Sequence, residues 1–336
     1  MLKVAAFTGG ILVPSARFRV RQYIPALLAN HIALTEMPSR WGNYPPENKW
    51  LRPAWAGMTL LEQIPKIVHS YKFDVVLLQR EMVSTFATLE FMTRSPRVLD
   101  VDDAIFLYRQ GHFARRLAQM SDRIICGNHY VANWFNDWNR DIKIIPTAID
   151  VNRYAPVEKE MDADKPLCVG WTGTSGNLKY LYAIEPALAR VMSIRPDVRL
   201  IIMCDKRPDF SLIPPGRVMY LPWSEQTEVA ALQGMDIGIM PLDDTEWAKG
   251  KCSFKMLQYM ACGLPVVVSP VGMNEEVLAL GHVGLSARSN GDWVDALLAL
   301  LDSPALRRAM GVAGRHTVVR YFSVHELAPQ LAACLH

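Results

Sequence analysis

The chain is 336 residues long and half hydrophobic, more than one core usually organises, which implies two domains. No stretch approaches the roughly eighteen uncharged apolar residues of a membrane span, and the start "MLKVAAFTGG" reads as a buried strand rather than a signal peptide. The net charge of +3 is uneven: residues 1–155 hold 19 Lys/Arg against 13 Asp/Glu (+6) and the remainder 17 against 20 (−3). That excess is diffuse and lacks an aromatic-plus-basic stripe, so no nucleic-acid partner is expected; a phosphorylated substrate, an anionic membrane surface or ordinary solvated arginines account for it.

In chain order, the strand candidates of the first half are "KVAAF", "IALTEM", "DVVLLQR", "RVLDV", "RIICG" and "IKIIP". Those of the second half are "LCVGW", "VRLIIMC", "VMYLP", "IGIMPL" and "PVVVS". Helical patterns lie between them, among them "LEQIPKIVHSY", "NLKYLYAIEPALARVM" and "SFKMLQYMA". Strand and helix in alternation predict parallel sheets covered on both faces. Two such series, separated by the polar stretch "APVEKEMDADKP", predict two Rossmann-like domains, 1–155 and 156–322, with a terminal helix over 323–336 crossing back to the first. The aromatic, proline-rich segment 39–55 reads as a long loop. Six scattered cysteines (126, 168, 204, 252, 262, 334) without a CxxC pair fit reduced thiols in a cytosolic protein and give no metal signature.

A cleft between two such domains suits a nucleotide. A dinucleotide oxidoreductase would carry GxGxxG after its first strand; "TGGILVPSARFR" and "GWTGTSGN" do not fit it. The stretch "KGKCSFKMLQYMACGLPVVVSP" (249–270) is more informative. It puts Lys251 and Lys255 at the expected start of a helix, four residues apart on one face. Cations at a helix amino end are unfavourable, and two at i and i+4 repel one another, so the placement needs an anion to justify it.

"KCSFKMLQYMACGLPVVVSPVGMNEEV" (251–277) resembles the donor-site signature of family 4 retaining glycosyltransferases, proteins of the GT-B fold also described as glycosyl transferases group 1. Three more segments agree in order and spacing: "VMYLPWSEQTEVAALQGMDIGIMPL" (218–242), "IKIIPTAIDVNRYAP" (142–156) and "LCVGWTGTSGNLKYL" (167–181). The resemblance is detailed over roughly 140–280 and general over the first domain. It implies a nucleotide-diphosphate sugar as donor substrate, no cofactor and no metal, with the phosphates on the helix start. There Lys251 and Lys255 would stabilise the leaving diphosphate.

The resemblance also implies donor contacts at Gly9, Gly10, Gly173, Thr174, Lys179, Arg207, Trp223, Ser253, Phe254 and Gln258. Two departures stand out. Where the family has two glutamates eight positions apart, this chain has Gly250 and Gln258; the second glutamate binds ribose hydroxyls in the family, and an amide still pairs with a hydroxyl, though more weakly than a charge. The family's arginine after the first strand of this domain is replaced by Trp171 and Thr172, with Lys179 or Arg207 as substitutes.

In the first domain, "RVLDVDDAIF" contains Asp100-x-Asp102, a superficial match to the metal motif of the other glycosyltransferase fold. Within the resemblance, Asp102 and Asp103 instead occupy positions that face the sugar, unless one of them caps the next helix. Gly9 and Gly10 follow the first strand, where small residues admit a ligand, and Arg17 and Arg21 share a helix face that meets an anionic acceptor or water. The resulting expectation is a cytoplasmic retaining glycosyltransferase acting on a glycan or lipid-linked acceptor, with peripheral membrane contact through its basic first domain. A pseudo-glycosyltransferase and a nucleotide-sugar epimerase are the alternatives, the latter needing His112 and His129 in the cleft.

Overall fold

The computed structural model describes residues 1–42, 45–158 and 166–336. The chain forms two parallel six-stranded sheets. The first contains β1 (Leu2–Thr8), β2 (Ile32–Pro38), β3 (Val75–Gln79), β4 (Arg97–Val101), β5 (Arg123–Cys126) and β6 (Ile142–Ile144), in the order β2-β1-β3-β4-β5-β6. The second contains β7 (Cys168–Thr172), β8 (Arg199–Cys204), β9 (Val218–Pro222), β10 (Ile237–Met240), β11 (Val266–Val268) and β12 (Gly284–Ser286), ordered β12-β11-β10-β7-β8-β9. Central strands such as β3, β7, β10 and β11 are buried along their whole length, as parallel strands covered by helices on both faces must be.

The two compact units are not contiguous in sequence. One comprises Met1–Ala148, Lys249–Cys252 and Val324–His336; the other comprises Ile149–Ala248 and Ser253–Ser323. The first therefore ends at Ala148 rather than 155, because Ile149 N–H donates to Phe322 O and the chain from there belongs with the second sheet. Part of the polar stretch at 155–166 lies outside the described residues. The helix Val324–Leu335 packs Leu327, Leu331 and Leu335 against Val4, Leu77 and Val98 of the first sheet, while Arg123 Nη1 donates to the carbonyls of Ala333 and Cys334. The second core gathers Trp171, Ile202, Trp293 and Leu297.

The stretch 39–55 is not one long loop. A 3-10 turn starts at Lys49 and a helix at Arg52, running to Ser70; residues 43 and 44 lie outside the described residues. The helical run at 177–192 divides into Leu178–Ala183 and Glu185–Ile194 around Pro186, whose ring cannot continue a helix it has not begun.

Candidate functional site

In the second sheet the connections reverse between β7 and β10, since the chain runs β7-β8-β9 to one side and β10-β11-β12 to the other. The crevice beyond the carboxyl ends of strands at such a reversal is where open α/β sheets bind ligands. The helix Phe254–Ala261 is seated there: Tyr259 is fully buried, and its hydroxyl accepts the N–H of Thr172 at 2.9 Å. Ser253 precedes the helix with φ of 50°, and its Oγ donates to Asn274 Oδ1 at 2.7 Å rather than capping the helix. The Ser253 side chain therefore does not cap this amino end, whose first-turn N–H groups point along the axis.

Lys255 is in that first turn. Its side chain lies over the Gly173 turn after β7; a Cβ at Gly173 would stand 3.0 Å from Lys255 Cε and 2.5 Å from the Trp171 ring. Glycine at 173 is therefore what lets the lysine stem lie close to β7. Thr174 is exposed and accepts from Asn177 Nδ2, Lys179 Nζ is 4.7 Å from the Tyr180 ring centre, and Arg207 Cζ is 5.6 Å from that of Tyr220. Burial, together with a hydrogen bond to nearby Asp243, pushes the Tyr180 hydroxyl up to about 12.

Gln258 sits in a buried polar cluster that no local motif announces. Its Nε2 donates to Glu228 Oε1 and to Tyr154 Oη, both at 3.1 Å. Tyr154 Oη donates in turn to Glu228 Oε2 at 2.6 Å, and Trp223 Nε1 donates to Glu228 Oε1 at 3.4 Å. The polarity of the amide is thereby fixed. A carboxylate only accepts, and the tyrosine proton is already committed to it, so both must face the NH₂ group. Whatever meets the other side of Gln258 meets its carbonyl oxygen. The carboxylate that the family motif carries at the position of Gln258 is present in this domain as Glu228, on the helix Glu228–Gln233.

Lys251 is not on the helix. It lies in the Lys249–Cys252 segment, which groups with the first sheet, so the two lysines do not share a helix face. That segment is pinned by Asn128, whose Nδ2 donates to the carbonyls of Lys249 and Lys251, and by Cys252 Sγ donating to Asp102 O at 3.0 Å. A Cβ at Gly250 would lie 2.5 Å from Ala104 Cβ and 2.7 Å from its backbone nitrogen. Close packing excludes the glutamate that the family carries at this position.

At the carboxyl edge of the first sheet the charges meet one another. Arg17 and Arg21 do not share a helix face, because Arg17 lies in the helix Pro14–Arg19 and Arg21 opens a separate 3-10 turn after the break at Val20. Arg19, the last residue of that helix, is buried and makes a bidentate pair with buried Asp100; its Nη1 also donates to Ile145 O at 2.7 Å. Burial opposes its charge, but Asp100 more than compensates and keeps the guanidinium protonated. Asp100 is thus engaged by Arg19 rather than chelating jointly with Asp102. Arg21 is bidentate to Glu36 (2.8 Å for both bonds), which places its charge away from an acceptor role, and Arg17 Cζ lies 4.6 Å from the Phe18 ring centre.

Neither Asp102 nor Asp103 caps the following helix, whose N-cap is Ala104 without a side-chain bond. Asp103 Oδ2 accepts from Arg80 Nη1 at 3.2 Å. Asp102 Oδ1 is 4.0 Å from that nitrogen, buried, and makes no hydrogen bond among the described residues. Gly10, with φ of 137°, carries the turn after β1. His112 and His129 are both exposed at the first positions of their helices.

Two parallel α/β sheets in separate compact units, with a terminal helix returned to the first, define the GT-B glycosyltransferase architecture. The whole chain superimposes on sucrose-phosphate synthase from Thermosynechococcus elongatus with a TM-score of 0.72, 16% identity, and coverage of 99% of this chain and 98% of that one. HepE of Anabaena in complex with UDP-glucose gives 0.69 at 16% identity, covering 100% of this chain and 99% of that one.

Residues 166–303 match the family described as Glycosyl transferases group 1. A GDP-mannose-dependent monoacylated alpha-(1-6)-phosphatidylinositol monomannoside mannosyltransferase of Corynebacterium glutamicum is 27% identical over 213 residues, 57% of this chain and 55% of that protein. A D-inositol 3-phosphate glycosyltransferase of Pseudarthrobacter chlorophenolicus is 28% identical over 203 residues, 54% and 47% respectively. The chain spans about half the length of these two relatives.

Proposed function

We propose that the protein is a retaining glycosyltransferase that moves a sugar from a nucleotide-diphosphate donor to a hydroxyl of a glycan or lipid-linked saccharide. The observation that carries this reading is Lys255 over the Gly173 turn, on a helix whose amino end has no side-chain cap, at the reversal point of the second sheet. Helix N–H groups and an adjacent cation are the elements of a diphosphate site that needs no metal. One relative is named as GDP-mannose-dependent, and one structural neighbour is captured with UDP and with UDP-glucose, ligands of this class.

In the proposed reaction the bond from the anomeric carbon to the diphosphate oxygen breaks. The acceptor oxygen bonds to the same face, and its proton passes to the departing phosphate oxygen. Lys255 and the helix terminus stabilise the charge that grows on the leaving group. Gln258 Oε1 accepts from a ribose hydroxyl, held in that orientation by Glu228 and Tyr154. Asp102 meets sugar or acceptor hydroxyls, or positive charge at the anomeric carbon. Gly250, which excludes the family's first glutamate, favours the second reading, a protein that binds the nucleotide sugar without transfer.

We propose that it acts in polysaccharide biosynthesis in the cytoplasm, with peripheral membrane contact. A thermal-shift panel of UDP, GDP, dTDP and ADP with their sugars tests the site, since a ligand of the folded state raises stability. No shift from any of them removes the reading. Product formation that persists in EDTA separates transfer from binding alone and supports a metal-independent mechanism; loss on chelation with rescue by manganese sinks that mechanism.

A further inference from the structure

The helix Arg52–Ser70 is buried on its polar side. Thr59, Gln63 and Ser70 face the first domain together with Ile67, while Met58, Leu61, Ile64 and Val68, with Ala54 and Pro65, lie in the open on the opposite side. Those six positions recur at three- and four-residue spacing, so they form one continuous apolar stripe about 21 Å long. Leu61 and Val68 are each 68% exposed, and Trp50, in the turn that leads into the helix, is 92% exposed. A helix that turns apolar residues outward in this way marks an interaction surface.

Charge selects the partner. Exposed Lys49 and Arg52 stand at one end of the stripe and outnumber exposed Glu47 there. Exposed Lys72 stands at the other, where exposed Asp74 accepts the N–H of Lys3, Tyr71 Oη donates to Met92 O and Arg94 Nη1 donates to Tyr71 O. The stripe itself carries no acid. Glu62, on its flank, is paired with Lys66 at 2.5 Å and accepts the N–H of Arg40. A second copy of the chain laid on this face would set these cations against their own kind. An anionic phospholipid surface meets them with opposite charge, and it takes up Trp50 and Tyr71 at the level of its headgroups.

We propose that the exposed face of the Arg52–Ser70 helix lies in the plane of an anionic membrane, its apolar stripe among the acyl chains and its terminal cations among the headgroups. This names the surface for the membrane contact proposed above and rests on that reading, but on no step of the transfer.

The test is flotation of the full chain with phosphatidylcholine vesicles, with and without phosphatidylglycerol. Binding is expected only with phosphatidylglycerol and should fall steeply as salt approaches about 0.5 M. Leu61→Gln with Val68→Gln should weaken it at least about tenfold; Lys49→Gln with Arg52→Gln should weaken it and flatten the salt dependence. Both pairs should keep the wild-type melting temperature and nucleotide-diphosphate affinity, which are measured in parallel. A nucleotide result against the transferase reading therefore remains distinct from a vesicle result against this one. No flotation with phosphatidylglycerol, equal flotation without it, or wild-type binding by the Leu61/Val68 variant overturns the proposal. A lipid-free dimer that this same variant dissociates also overturns it, in favour of a second copy.

Discussion

The carboxyl edges of the two sheets handle charge in opposite ways. At the first, cations and carboxylates answer each other within the domain: Arg19 with Asp100, Arg21 with Glu36, and Arg80 with Asp103. At the second, a lysine is brought to the uncapped start of a helix, beside a turn whose glycine makes room for it, and the buried carboxylate of Glu228 is surrounded by neutral donors. An edge whose charges are matched internally is built for shape. An edge where a lysine stem, a helix start and a glycine turn meet is the one proposed above to receive an anion. Arg21, which the sequence left between an anionic acceptor and water, is paired with Glu36 in the fold.

Breaking the first edge should have the largest effect. Arg19→Met leaves the Asp100 carboxyl without its partner in the core, which costs about 3–5 kcal/mol and lowers the melting temperature by about 10 °C. Arg19→Met with Asp100→Leu should recover much of that, because an apolar pair replaces the ion pair. If the single variant melts like wild type, the pair is not structural.

Breaking the second edge should spare stability and strike binding. Lys255→Ala should lower turnover about a hundredfold or more and weaken a nucleoside diphosphate far more than its nucleoside. Equal losses for the two ligands, measured by titration calorimetry, would separate Lys255 from the phosphates. Asp102→Asn and Asp103→Asn, made separately, sharpen the contrast. Asp102→Asn should keep nucleotide affinity and melting behaviour while losing about tenfold or more in turnover. Asp103→Asn should do less, since that carboxylate already answers Arg80. Near-normal turnover in both variants returns the pair to architecture.

The smallest expected effects concern Gln258. Gln258→Glu places a second carboxylate about 3 Å from Glu228 and raises the pKa of one of them. A folded-state pKa above the unfolded one means stability that falls as pH rises past the ordinary glutamate range, so the variant should melt lower at neutral pH than at acid pH. Exchanging the two residues, Glu228→Gln with Gln258→Glu, restores one carboxylate and one amide and should regain stability. It should also keep ribonucleotide preference over the 2′-deoxy form, by about tenfold. Loss of that preference in the exchanged protein would remove Gln258 from the ribose.

The sheets were legible because parallel strands buried on both faces read as unbroken apolar runs, as "DVVLLQR" and "PVVVS" do. Strand β12 escaped notice because Gly284–Ser286 is only three residues long and partly exposed. The helix at 254–261 was legible too, but its start was not. Only the fold shows that Ser253 turns left-handed and that Lys251 remains outside. The Gln258 cluster joins Tyr154, 104 residues away, and Glu228, 30 away, so no local spacing could reveal it. Likewise a helix face expected to carry Arg17 and Arg21 drew attention from Arg19, where the helix ends and whose partner lies 81 residues downstream.

The helix Val324–Leu335 has a consequence for how the chain is made. Leu327, Leu331 and Leu335 belong to the same core as side chains of β1, β3 and β4, so the first domain lacks part of its core until residues 324–335 have been synthesised. The second domain, which ends at Ser323, has all of its segments earlier. On the ribosome the usual order is therefore reversed: the domain begun first is the one completed last, and it must wait with an uncovered apolar surface while the other closes.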